Sequence, residues 1–216
     1  AWDGSAGSNF IISNTEPSLS GWFAHQTRCF EAFMASRTES SVLLVRHRVN
    51  CLSEVLKLAP HLGAEIDLRT RDRGIILNHE PYQDGVLFTD YLKAYGNNRK
   101  APLILNVKED ALETKLIELC RAHDLENYFF IDCAFPTIVK LANSGFNNVA
   151  VRVSEYENID IARTLREKIR WAWVDSFTGS TPDKALLSTL QDWGFRLAIV
   201  SPELHGYEDR IRLYCE

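Results

Sequence analysis

From residue 41 to residue 201 the chain alternates apolar strand-like runs with amphipathic stretches of helical period, and few folds accept that rhythm. Short runs rich in Val, Ile and Leu read as buried strands, and the intervening 3.6-residue periodicity reads as helices packed on them. Expected strands cover 41–49, 64–70, 102–108, 128–133, 149–154, 171–177 and 196–201, with a short extra strand at 75–78. Expected helices cover 51–62, 88–95, 110–123, 136–144, 159–169, 182–193 and 207–214, with Gly63 as the stop of the first.

Strict alternation requires parallel strands joined by right-handed crossovers. Seven such strands at similar spacing favour a TIM-type (β/α) barrel. An open doubly wound sheet is the alternative, but it would carry a Gly-rich loop after its first strand, and "RHRVN" is not one. A barrel needs an eighth strand. Either the N-terminal segment supplies it or the barrel is incomplete. The expected division is residues 1–40 as an N-terminal extension and 41–216 as the barrel. Residues 1–20 are rich in Gly, Ser, Asn and Pro and are expected to be poorly ordered. Within 20–35, Trp22, Phe23, Cys29, Phe30, Phe33 and Met34 fall near helical spacing and suggest one amphipathic helix.

Composition narrows the class. A length of 216 residues with 45% hydrophobic and 25% charged residues suits one globular domain with a substantial core. The net charge of −5 and the lack of a basic block argue against a nucleic-acid partner. No apolar run is long enough for a membrane span, and no signal peptide is visible. Five widely scattered cysteines fit reduced thiols and a cytoplasmic setting better than a disulfide frame, with Cys120 and Cys133 as small core residues. Nothing in the sequence sets the oligomeric state.

The stretch "AEIDLRTRDRGIILNHEP", 64–81, carries the chemistry. Side chains two apart on a strand share a face, so Glu65 and Asp67 point together. One reading is a solvated face of an edge strand. The other is a buried pair, which needs compensation, and a hard cation such as Mg²⁺ or Ca²⁺ supplies it. In a barrel the active site lies at the C-terminal strand ends. Those ends carry His47, Arg48 and Asn50, then Glu65 and Asp67, then His79. Asn106 and Lys108 follow, then Asp132, then Arg152, Ser154 and Glu155. Trp173, Asp175, Ser201 and Glu203 complete the set. Singly, such residues are usually caps, loop residues or barrel filling. Together they offer a cation site, cationic groups for a phosphate, and two histidines for proton transfer or nucleophilic attack.

With these residues in view, "HR" at 47–48, "EIDLRTRDRGIILNHEP" and "ILNVK" resemble the glycerophosphodiester phosphodiesterase family and the related spider-venom type sphingomyelinase D enzymes. In the middle stretch Glu65, Asp67, Thr70, Asp72, Gly74 and His79 fall in register with the family pattern. The resemblance implies a metal-dependent phosphodiesterase on a TIM-type barrel. It implies catalytic roles for His47 and His79, and metal ligation by Glu65 and Asp67. It implies phosphate-side roles for Arg48 and Lys108. Glu155, Trp173, Asp175 and Glu203 join the expected substrate-binding set by their rim placement. The sequence departs from the pattern at Val49, where the family has Gly, and at Glu80, where it has Asp. It also departs at Asn106, where the family has an acidic ligand. Asn106 still offers a neutral oxygen to a hard cation. The expected substrate is a glycerophosphodiester-like or lipid-derived phosphodiester, with hydrolysis and cyclic-phosphate formation both open. The competing readings are a non-catalytic phosphate-binding module and a purely structural or interaction domain.

Overall fold

The computed structural model describes residues 9–14, 42–72 and 74–215, without the side chains of 212 and 215. Ten strands form one sheet: β1 Asn9–Ser13, β2 Val42–Arg46, β3 Gly63–Arg71, β4 Gly74–Leu77, β5 Val86–Leu87, β6 Leu103–Val107, β7 Tyr128–Ile131, β8 Ala150–Val153, β9 Trp171–Val174 and β10 Arg196–Val200. Parallel pairing runs β7–β6–β3–β2–β1–β10–β9–β8. An isolated parallel bridge, Phe130↔Val149, brings β7 to the residue just before β8. β4 and β5 form an antiparallel flap on β3.

The eighth strand is therefore N-terminal. β1 sits between β2 and β10, with Ile11 opposite Leu44 on one side and Ile199 on the other. This corrects two expectations. The barrel does not begin at residue 41, and Asn9–Ser13 is an ordered, wholly buried strand. The run Phe10–Ile11–Ile12 is short, but burial on both faces needs no alternation. The amphipathic helix expected at 20–35 lies outside the described residues.

The helices are α1 Leu52–Val55, α2 Phe88–Tyr95, α3 Glu113–Ala122, α4 Phe135–Asn143, α5 Ile159–Leu165 and α6 Lys184–Asp192. α1 is far shorter than the expected 51–62, and Gly63 does not stop it. Pro60 cannot continue a helix; the Arg99 guanidinium donates to the Leu58 carbonyl, and to the Ala59 carbonyl alongside the Leu62 backbone N–H. Gly63 instead opens β3, where a Cβ would stand 2.5 Å from the Pro102 carbonyl oxygen. The last segment, Pro202–His205 and Glu208–Cys215, is 3₁₀ rather than an α-helix. The side chains of Tyr207, Arg210 and Tyr214 bond the carbonyls of Phe177, Thr178 and Ser180, so the segment is tied along the loop after β9.

Alternation along each strand divides the core. Outward residues such as Ile66, Leu68, Leu103, Leu105 and Ile199 pack under the helices. Inward residues Phe10, Ile12, Val45, Ile104, Phe129, Trp171 and Ala198 fill the barrel. Trp171 stacks on Phe129 at 4.0 Å, and Arg196 lies over Trp171 at 4.4 Å. Toward the C-terminal strand ends the inward positions include the buried polar residues Glu65, Asp67, Asn106 and Asp175, beside apolar Ile131, Trp173 and Val200.

Candidate active site

Glu65 and Asp67 belong to a strand paired on both sides, and both are 0% exposed. The buried reading of the pair thus holds. Glu65 accepts the Arg48 backbone N–H at 2.8 Å and the Asn106 amide at 2.9 Å. Arg48 reaches this position with a left-handed backbone, φ 53°. Asp67 exchanges two hydrogen bonds with the Asn50 side chain, at 2.8 and 2.9 Å. Lys108 Nζ stands 3.3 Å from Asp67 Oδ1. Burial, then the adjacent Asp67 charge, push the Glu65 carboxyl up to about 7.

His47 follows β2, with its Nε2 3.8 Å from Glu65 and its Nδ1 2.9 Å from the Asn14 side-chain oxygen. Burial, then the neighbouring Arg48, lower its pKa to about 4. The ring is neutral at neutral pH. Since Asn14 Oδ1 can only accept, the proton is assigned to Nδ1 and the lone pair to Nε2. His79 follows β4, with its Nε2 2.7 Å from Arg48 Nη2 and its Nδ1 2.6 Å from Glu80. The flap thus brings His79 to Arg48, and through it to the group at the mouth.

Whether the site suits a cation can be judged from two atoms. Among the described residues Asn106 Oδ1 is buried without a hydrogen-bond partner, and Asp67 Oδ1, on the residue opposite it across β3 and β6, is met by the Lys108 ammonium at 3.3 Å. A buried oxygen without a donor is costly, and a hard cation satisfies it. Among the described residues no group of three His, Cys, Asp or Glu is placed to hold a metal ion. The donor set is two carboxylates and an amide. That suits Mg²⁺, which is often held by one or two carboxylates plus substrate phosphate oxygens.

The remaining sequence-derived residues lie on the far arc of the mouth. Asp175 is buried and meets Arg152 at 3.5 Å, Trp173 Nε1 at 3.3 Å and His205 Nε2 at 2.6 Å. Glu155 is taken up by Ser176, Phe177 and Thr178, and so holds a loop. Glu203 accepts the Ser13 hydroxyl at 2.5 Å and also bonds Ser201. Two residues of the site carry no strand-end signal in the sequence: Asn14, which orients His47, and His205, which pairs with Asp175. Asn14 stood in a segment expected to be disordered. His205 closes a 3₁₀ turn after β10.

Comparison with known proteins matches the fold. A structure from Agrobacterium tumefaciens assigned as a glycerophosphoryl diester phosphodiesterase aligns at a TM-score of 0.51 and 13% identity, over 72% of this chain and 83% of that one. A structure assigned as an aldo-keto reductase from Pseudomonas aeruginosa aligns at 0.52 and 11% identity, over 98% and 91%. At such identities these likenesses show the barrel alone. No family model and no curated protein matches. Among the described residues no helix is long and apolar enough to cross a membrane.

Proposed function

We propose that this barrel mouth cleaves a phosphodiester with the help of a divalent cation. The observation that carries the reading is convergence. His47, Arg48, Glu65, Asp67, His79, Asn106 and Lys108, carried by β2, β3, β4 and β6 and the turns after them, form two contact groups: His47, Arg48 and Asn106 on Glu65 with His79 on Arg48, and Lys108 on Asp67. Asn50 joins the groups, bonding Asp67 through its side chain and the Arg48 carbonyl through its backbone N–H. Glu65 and Asp67, with Asn106 as a neutral oxygen, would hold Mg²⁺ or Ca²⁺. When bound, the cation neutralises phosphate charge as a Lewis acid.

The chain's own groups supply the rest. The unprotonated Nε2 of His47 is the attacking nucleophile or base. Asn14 on Nδ1 fixes its tautomer. Lys108 and Arg48 face the phosphate oxygens. Arg48 now donates to His79 Nε2, so its move to the phosphate would free that nitrogen to take up a proton from solvent and then pass it to the leaving alkoxide. Glu80 on Nδ1 holds the His79 ring in place. Removing either histidine should cost about 10²–10⁴-fold in rate. The test is hydrolysis of bis-(p-nitrophenyl) phosphate with Mg²⁺ or Ca²⁺ by wild type, His47→Ala and His79→Ala. Wild-type turnover in both variants would overturn the mechanism.

Two observations favour a binding module instead. Asn106 turns its N–H₂ toward Glu65, and both nitrogens of His79 already have partners. Phosphate binding without turnover in that assay would favour this second reading.

A further inference from the structure

On the far arc, between β6 and β8, two cations share one carboxylate. Lys108 Nζ is 3.7 Å from Asp132 Oδ2, and Arg152 Nη2 bonds Asp132 Oδ1. Arg152 also meets Asp175 at 3.5 Å and Glu157 at 3.8 Å. Lys108 also meets Asp67. Among the described residues, Asp132 is the carboxylate that both cations contact, and its backbone is left-handed, φ 58°. Its side chain is 26% exposed against 5% for Asp175, so it faces the mouth.

Beside this trio lies a cavity of about 440 Å³. Its charged walls are Asp132, Arg152 and Glu157, the last paired with Arg152, but most of the lining is apolar: Ile131, Phe135, Ile138, Ile161 and Trp173 among them. Phe135 is 48% exposed there. A cavity of this size with one charged edge suits a small ligand with a polar head and an apolar body.

We propose that Lys108 and Arg152 form an anion subsite for the phosphate of an ester whose apolar substituent enters the cavity between β7 and β8, with Asp132 as its built-in competitor. The substrate class deepens, and rests on, the phosphodiester reading. The geometry explains why one carboxylate bridges both cations: it takes the place a phosphate would take, with two oxygens directed at two donors. A guanidinium and an ammonium side by side match phosphate oxygens well. Binding then requires Asp132 to give way. Asp175 and Glu157 keep Arg152 aimed while it does.

The experiment is titration calorimetry in EDTA, so that no divalent cation holds the ligand. Inorganic phosphate and phenyl phosphate are the probes. Wild type should bind phenyl phosphate more tightly than phosphate. Asp132→Asn removes the competing charge yet suits a left-handed backbone, and should tighten both ligands roughly tenfold. Arg152→Gln should weaken both by a similar factor, with Lys108→Gln as the companion variant should Arg152→Gln fail to fold. Ile161→Trp narrows the cavity and should weaken phenyl phosphate only. Unchanged or weaker phosphate binding by Asp132→Asn overturns the subsite. Equal affinity of wild type and Ile161→Trp for phenyl phosphate overturns the cavity assignment. Failure of the phosphodiesterase reading looks different: no turnover, with these binding shifts intact.

Discussion

Asn106 lies directly opposite Asp67 across the β3–β6 pair, yet gives its amide N–H to Glu65 at 2.9 Å and leaves its own oxygen unpartnered. A third carboxylate at this position would face two others in a buried site. Asn106→Asp should therefore be destabilised without divalent cation and stabilised with it. We expect the melting temperature to fall in EDTA and to recover with Ca²⁺ by more than wild type gains. Calorimetry should show at least roughly tenfold tighter Ca²⁺ binding. A variant that melts alike with and without Ca²⁺ would remove the cation from this site.

Asn14 should act on His47 through the ring tautomer. Asn14→Ala removes the acceptor of the Nδ1 proton and should lower turnover by roughly tenfold, the scale of losing an outer orienting partner. The ¹⁵N shifts of the His47 ring should move toward a tautomer mixture. A rate loss without that change would assign Asn14 a packing role only.

The alternation of strand and helix was legible in the sequence because each strand is a continuous apolar run and each helix carries 3.6-residue periodicity. The Glu65–Asp67 pair was legible because two acids at i, i+2 in such a run cannot both be ignored. Asn9–Ser13 was not, since five residues among Gly, Ser and Pro give no period to read, and long-range pairing with β2 and β10 decides their state. The short α1 failed for a visible reason, Pro60. The Asp175–His205 pair was half legible: Asp175 ends a strand, but its partner is 30 residues on, in a turn that only the folded chain brings back.

Arg99 is a stability residue outside the mouth. Its guanidinium donates to the carbonyls of Leu58 and Ala59, its Nε donates to that of Tyr95, and it lies 4.9 Å from the Tyr95 ring centre. Arg99→Ala strips the Arg99 donors from the Leu58 carbonyl and leaves the Ala59 carbonyl with the Leu62 N–H alone. The expected loss is about 2–4 kcal/mol by urea denaturation, the range for unsatisfied groups of this kind. Turnover per folded molecule should not change. A loss below about 0.5 kcal/mol, the level of an ordinary surface change, would show that water replaces the guanidinium without penalty.

Glu155 links two loops through charge, and its contribution should depend on pH. Burial is the largest single influence and opposes its ionised form, but hydrogen bonds from Thr178, Ser176 and the Phe177 backbone together outweigh it and lower its pKa from 4.5 to about 2. A carboxyl depressed on folding stabilises the native state fully above its unfolded pKa, and the contribution fades as pH falls through the folded value. Glu155→Gln should therefore be less stable than wild type at neutral pH. The gap should close between pH 4.5 and about 2. The group is largely solvent-exposed, so the neutral-pH gap will be modest. Denaturant midpoints for both proteins at a series of pH values measure it. A gap that stays constant down to pH 2 would mean the loop reads the shape of the side chain and not its charge.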